Sequence, residues 1–141
     1  METISPEMGD LRLWMIISAV LYVGGGLSFL FGQNILLERL NRVSEMVFKD
    51  RLPLIPLSTE KFWLVLTNSM MFMLVVICVF VAVDVEAYYS MVWIILFSKA
   101  ASTLQYAWLF AMEKRYFAYL TGVLSDGPLF VITLVLFLRV V

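Results

Sequence analysis

The chain has no histidine and a single cysteine, Cys78, in 141 residues. Without imidazole it lacks the usual axial ligand of a membrane haem and the commonest ligand of transition metals. One thiol makes neither an internal disulfide nor a dithiol relay. Charge is scarce as well: 15% of residues are charged, with a net charge of -1, where a soluble domain carries about 25%. That balance offers no basic footprint for a nucleic acid, so none is expected as a partner. No cofactor is expected either.

What fills the chain is apolar. It is 62% hydrophobic, with a mean hydropathy of +0.94, against about 45–50% apolar residues in a soluble domain. A globular core of this length has too little interior to hide the excess. The expected fold class is all-α: a polytopic membrane protein built as a four-transmembrane-helix bundle, one membrane domain over residues 1–141. A spanning helix needs about 20 mostly apolar residues, and four stretches qualify, 11–32, 62–83, 88–112 and 117–138. The first carries Gly24-Gly25-Gly26 and Gly32, small residues that let helices approach closely or bend. Asp84 and Glu86 leave only a short acidic turn before the third stretch, and Glu113, Lys114 and Arg115 form the next turn. Glu2, Glu7 and Asp10 outnumber Arg12. The basic start of a secretory signal is therefore missing, and the N-terminus is expected to be retained.

Residues 33–50 read differently. Leu36, Leu40, Val43 and Val47 recur on one helical face, with Glu38, Arg39, Arg42 and Glu45 mostly elsewhere. This pattern predicts an amphipathic helix lying in the membrane interface between the first two spans. Pro53 and Pro56 end it and return the chain to the membrane. Arg39, Arg42, Lys49, Arg51 and Lys61 fall in this connector and Lys114 and Arg115 in the third, whereas the opposite side holds Arg12 and Arg139. The bias of basic residues toward the cytoplasm then places both termini outside.

Two charges interrupt the apolar stretches. Lys99 lies about halfway along the third and Asp126 about halfway along the fourth. A charge at mid-bilayer costs about 2.5–3.5 kcal/mol on insertion scales. Opposite charges on adjacent spans at similar depth therefore point to one pair. At ~1.5 Å per residue, Asp126 lies roughly 14 Å, Ser102 roughly 15 Å and Lys99 roughly 19 Å from the cytoplasmic end. Gln105 and Asn68 fall near ~10 Å and Tyr22 near ~15 Å. Lys99, Asp126, Ser102, Gln105, Asn68 and Tyr22 thus form the expected ligand-binding or ion-pair site, with no catalytic or metal residues assigned. Three roles are open to the pair: a structural lock on helix register, a site for a ligand, proton or headgroup, or a contact with another subunit's charge. Gly127-Pro128 follows the aspartate, and the proline frees the carbonyl of Leu124. Asn68 and Ser69 read as interhelical hydrogen-bonding groups, and Trp14, Trp63 and Trp93 as interface anchors. Met70, Met71 and Met73 read as adaptable packing.

Small multidrug transporters, also four-helix proteins, carry a membrane glutamate in their first span, and this first span is uncharged beyond Arg12. In length and four-span plan the chain resembles DoxX-like small membrane proteins across most of its sequence, an architectural likeness with no motif that assigns a residue. The expected function is that of a non-enzymatic accessory or assembly subunit of a prokaryotic inner membrane, or of a hydrophobic-ligand binder. One alternative is a transporter or proton-coupled permease component acting as an oligomer. Another is a membrane enzyme acting on a quinone or lipid. The lipid bilayer, a membrane protein partner and a second copy of the chain are the partners considered.

Overall fold

The computed structural model describes residues 5–49, 51–59 and 62–141. Glu2, Asp50 and Lys61, which enter the arguments above, lie outside them. Among the described residues the fold is all-helical. Helix α1 runs Pro6–Phe48 and α2 Phe62–Val83; a one-turn α3, Val85–Tyr88, leads through a 3-10 turn at Tyr89–Met91 into α4, Val92–Met112; α5 is Phe117–Leu138. Three of these, α1, α2 and α5, are long and apolar enough to cross a membrane by length and composition. Helix α4 has 21 residues, but Ser98, Lys99, Ser102, Thr103 and Gln105 dilute its apolar content, and it does not join that set.

Local chemistry sets the ends. The Ser5 hydroxyl accepts the Met8 amide at 3.3 Å and Pro6 opens α1, where a missing amide proton costs nothing. Lys49 closes the helix in the left-handed region, φ 48°. Asp84 caps α3 through the Ala87 amide at 3.0 Å. Pro128 sits inside α5, which stays helical from end to end.

The first helix starts earlier than expected, but the expected junction between the first span and the amphipathic helix falls where helical geometry breaks, at Gly32. Helix α1 begins five residues before the predicted span and continues through the connector, interrupted by a kink at Gly32 (φ -136°, ψ 24°). Glycine is where a helix bends most readily. The third stretch is corrected too: its first residues form α3 and the 3-10 turn, and the long helix starts at Val92.

The four long helices pack as two antiparallel pairs, α1 with α2 and α4 with α5, and α1 also lies against α5. On α1 the buried residues Leu11, Met15, Ser18, Tyr22 and Gly26 recur every three or four positions and form the contact stripe. Trp14 of α1 donates its indole N–H to Thr133 of α5 at 2.8 Å. Thr133 in turn donates to the Leu129 carbonyl at 2.6 Å. Trp14 was expected as an interface anchor; its polar atom is instead spent inside the protein.

The half of α1 beyond the kink turns across the end of the helices. Tyr22 lies level with Asp126, and Phe117 is nine residues, about 14 Å, further along α5. A straight α1 would carry Phe48 about 39 Å from that level. The rings of Phe48 and Phe117 are nevertheless 5.6 Å apart. Residues 33–48 therefore run at roughly constant height, near the α4–α5 turn. The chain then doubles back beside them: Asn41 pairs with both backbone groups of Ile55 (2.9 and 3.0 Å) and Asn34 with both of Ser58 (3.1 and 3.0 Å). Pro53 and Pro56 keep this strap extended.

Candidate functional site

Helices α4 and α5 bring Lys99 and Asp126 together. The ammonium lies 3.0 Å from Asp126 Oδ1. The Ser102 hydroxyl, one turn along α4, donates to Asp126 Oδ2 at 2.5 Å. Both carboxylate oxygens are therefore engaged. The backbone carbonyl of Lys99 accepts the Thr103 hydroxyl at 2.7 Å, and the Ser102 oxygen is 3.2 Å from the same carbonyl. From α1, the Tyr22 ring lies 4.7 Å from the ammonium, a cation–π contact that gains strength where water is excluded. The side chains of Lys99 and Asp126 are 7% and 15% exposed, so the pair is inside the protein and closer to dry on the lysine side.

Small residues make this approach possible. A methyl group on Gly122 of α5 would fall 2.6 Å from the Tyr106 ring of α4; glycine there lets the two helices close with a tyrosine between them. Gly127, next to the aspartate, faces the Thr103 methyl, which a Cβ there would meet at 3.7 Å, ordinary van der Waals contact. Tyr106 in turn lies beside Tyr119, their centroids 6.4 Å apart, which closes the α4–α5 seam on the side toward the 113–116 turn.

Of the six residues singled out from the sequence, Lys99, Asp126, Ser102 and Tyr22 meet at one point. Asn68 and Gln105 do not. Gln105 is exposed, because it lies off the face shared by Lys99, Ser102 and Tyr106. Asn68 is buried, but its amide donates to Leu64 of its own helix at 3.1 Å, so the expected interhelical hydrogen bond is not formed. Its Oδ1 faces α1 at Gly26 and has no hydrogen-bond partner among the described residues; the same holds for the buried Ser18 Oγ and Tyr22 hydroxyl. Ser69 likewise bonds its own helix, to Leu66. Trp63 and Trp93 are exposed, while Met71 packs on Gly25 and Gly26.

Sequence reasoning missed Thr133, Asn34 and Asn41. Thr133 gives no periodic signal inside an apolar helix. Asn34 and Asn41 stand seven residues apart on one face, a spacing that, followed by Pro53 and Pro56, marks a helix clasping an extended segment. Among the described residues no three His, Cys, Asp or Glu side chains gather as a metal site. A groove of about 320 Å³ between α1 and α2, lined in part by Arg12 and Cys78, does not reach the Lys99–Asp126 pair.

What the arrangement can do follows from its valences. Each carboxylate oxygen meets one donor, the ammonium or the Ser102 hydroxyl, and the ammonium meets one carboxylate oxygen and a ring. The pair links α4 to α5, and the Tyr22 ring adds α1. Compared with protein-family models, with curated proteins and with solved structures, the chain matches none.

Proposed function

We propose that this chain is a small, non-enzymatic accessory or assembly subunit of a prokaryotic inner membrane. In this reading α4 is a fourth span, the four helices form a bundle, and both termini face outward. The observation that supports it is the convergence on the buried pair: Asp126 meets Lys99 and Ser102 of α4, and the Tyr22 ring of α1 lies against the ammonium, so three helices meet at one point. A polar pair of this kind sets a unique packing even where it adds little net stability. It also explains how α4 enters a bilayer, since Lys99 brings its counter-ion from the neighbouring span. The wide apolar exterior, with Phe31, Phe97 and Leu104 each at least 70% exposed, is then surface for lipid and for a larger membrane assembly.

The test is a charge swap read by expression and by co-purification in mild detergent. Lys99→Asp and Asp126→Lys alone should each lose expression, and the double variant should recover it. A double variant no better than the singles removes direct pairing. Loss of co-purifying membrane proteins on altering an exposed apolar face, with the chain still folded, supports the subunit role; purification as a lone chain under all mild conditions counts against it.

One observation favours a second reading, a component of a proton-coupled permease acting as an oligomer. Ser18 Oγ, the Tyr22 hydroxyl and Asn68 Oδ1 are buried without partners on or facing one stripe of α1. Buried polar groups left unpaired are costly and are retained where they serve a pathway. Flux in proteoliposomes that is lost on Asp126→Asn would carry this reading over the first.

A further inference from the structure

The half of α1 beyond Gly32 has three different sides. Leu37, Asn41, Ser44 and Phe48 face inward, with Ser44 buried. Next round the helix come Leu40, Val47, Leu36 and Val43, the apolar stripe, of which Val47 is 62% exposed. Arg39, Met46, Ile35 and Arg42 follow, all exposed, and then Glu38 and Glu45 complete the circle. An apolar side, a basic border and an acidic side in that order match hydrocarbon, headgroup and water.

The height of this segment agrees. Gly32 is ten residues, about 15 Å, from the level of Tyr22 and the Lys99–Asp126 pair. Half of a hydrocarbon core ~30 Å thick is the same distance. With the pair at mid-membrane, residues 33–48 run along the boundary between acyl chains and headgroups, and the Phe48–Phe117 contact keeps them there. Arg39 and Arg42 stand three residues apart on this border, with Ile35 one turn before and Met46 one turn after them. Neither makes an ion pair among the described residues, where Lys99–Asp126 is the salt bridge found. Each guanidinium carries a planar fork of N–H donors that phosphate takes bidentately, and two without an ion pair lie one turn apart on this face.

We infer that residues 33–48 of α1 lie flat in the membrane interface and hold the phosphate of an anionic phospholipid between Arg39 and Arg42. The inference rests on the four-span placement that puts the pair at mid-membrane, and not on the subunit role. Its failure and the failure of the subunit reading are therefore separable.

The experiment uses the full chain in nanodiscs of phosphatidylcholine and phosphatidylglycerol. In a Cys78→Ala background, single spin labels are placed at Val43→Cys and Glu45→Cys. The label at 43 should be reached by oxygen and shielded from a water-soluble nickel relaxant, and the label at 45 should show the reverse. Equal nickel access at both positions overturns the flat placement, and this arm needs no arginine variant. Lipids retained on release from mixed nanodiscs are then counted by native mass spectrometry. Phosphatidylglycerol should be enriched, and the enrichment should fall about fivefold for each arginine removed in Arg39→Gln and Arg42→Gln. Arg39→Lys/Arg42→Lys keeps the charge but loses the fork, and should retain only part of the enrichment; full retention would reduce the site to plain charge attraction and overturn it. Enrichment unchanged in the double glutamine variant overturns the phosphate site.

Discussion

The Tyr22 ring lies 4.7 Å from the ammonium of Lys99, so a buried cation on α4 is held by α1 as well as by its carboxylate on α5. This contact ties the α4–α5 pair to the α1–α2 pair at the level of the charges. The ring and not the hydroxyl makes it, since the Tyr22 hydroxyl is buried without a hydrogen-bond partner. Tyr22→Phe should therefore keep the contact and remove an unsatisfied polar atom, leaving the protein as stable or more stable by about 1 kcal/mol. Tyr22→Leu keeps an apolar side chain but loses the π face and should cost about 1–2 kcal/mol. Denaturant titrations in detergent decide between them; a Tyr22→Phe variant as unstable as Tyr22→Leu would show that the hydroxyl matters.

Ser102 bears on the same carboxylate from the other side. Its hydroxyl donates to Asp126 Oδ2, and no other donor to that oxygen is found among the described residues. Ser102→Ala should cost about 1–3 kcal/mol, the penalty for leaving a buried acceptor unmet. Asp126→Asn goes further, since it strips Lys99 of its counter-ion; breaking a buried pair from one side costs about 3–5 kcal/mol. The order Asp126→Asn worse than Ser102→Ala, measured as unfolding midpoints in one detergent, is the checkable outcome. A Ser102→Ala midpoint equal to wild type would mean that water takes the place of the hydroxyl.

The pairing of Lys99 with Asp126 was legible because depth is countable. Two charges sit at known distances along neighbouring apolar stretches, and a hairpin connection aligns them. The second stretch was read to the residue, 62–83, because greasy composition stops abruptly at Asp84. The junction between span and connector was legible at 32/33, since Gly32 ends the apolar stretch and is where helical geometry breaks; the angle of the turn was not. Asn68 shows another limit of spacing: a buried asparagine can satisfy its amide on its own helix, and only the facing Gly26 shows what its oxygen meets. Gln105 entered the site on depth alone, and depth says nothing about which way a side chain points.

Gly122 and Tyr106 give a test of helix spacing independent of charge. A Cβ at position 122 would lie 2.6–2.8 Å from three atoms of the Tyr106 ring, closer than side chains pack. Gly122→Ala must push α5 from α4 or turn the ring from its rotamer. Overpacking of this kind costs about 1–3 kcal/mol. The double variant Gly122→Ala/Tyr106→Leu, which removes the ring, should restore part of that loss. A double-mutant cycle on unfolding free energy measures it, and strict additivity of the two changes would show that the contact is not the cause.

The strap over the outer half of α1 is the last element whose role can be measured. Asn41 accepts the Ile55 amide at 3.0 Å and donates to the Ile55 carbonyl at 2.9 Å. This is the pairing a neighbouring strand would provide, supplied by a side chain. An extended proline-bearing segment has no internal hydrogen bonds, so its amides are protected only by such partners. Asn41→Ala should raise hydrogen exchange at Ile55 about tenfold, the equivalent of ~1.4 kcal/mol, while amides inside α2 and α5 stay unchanged. Asn41→Asp keeps an acceptor for the amide but loses the donor to the carbonyl, and its exchange should fall between the two. If Ile55 exchanges at the wild-type rate in Asn41→Ala, the strap is held by its leucines rather than by the asparagine clasp, and the hydrogen bonds follow from the packing instead of directing it.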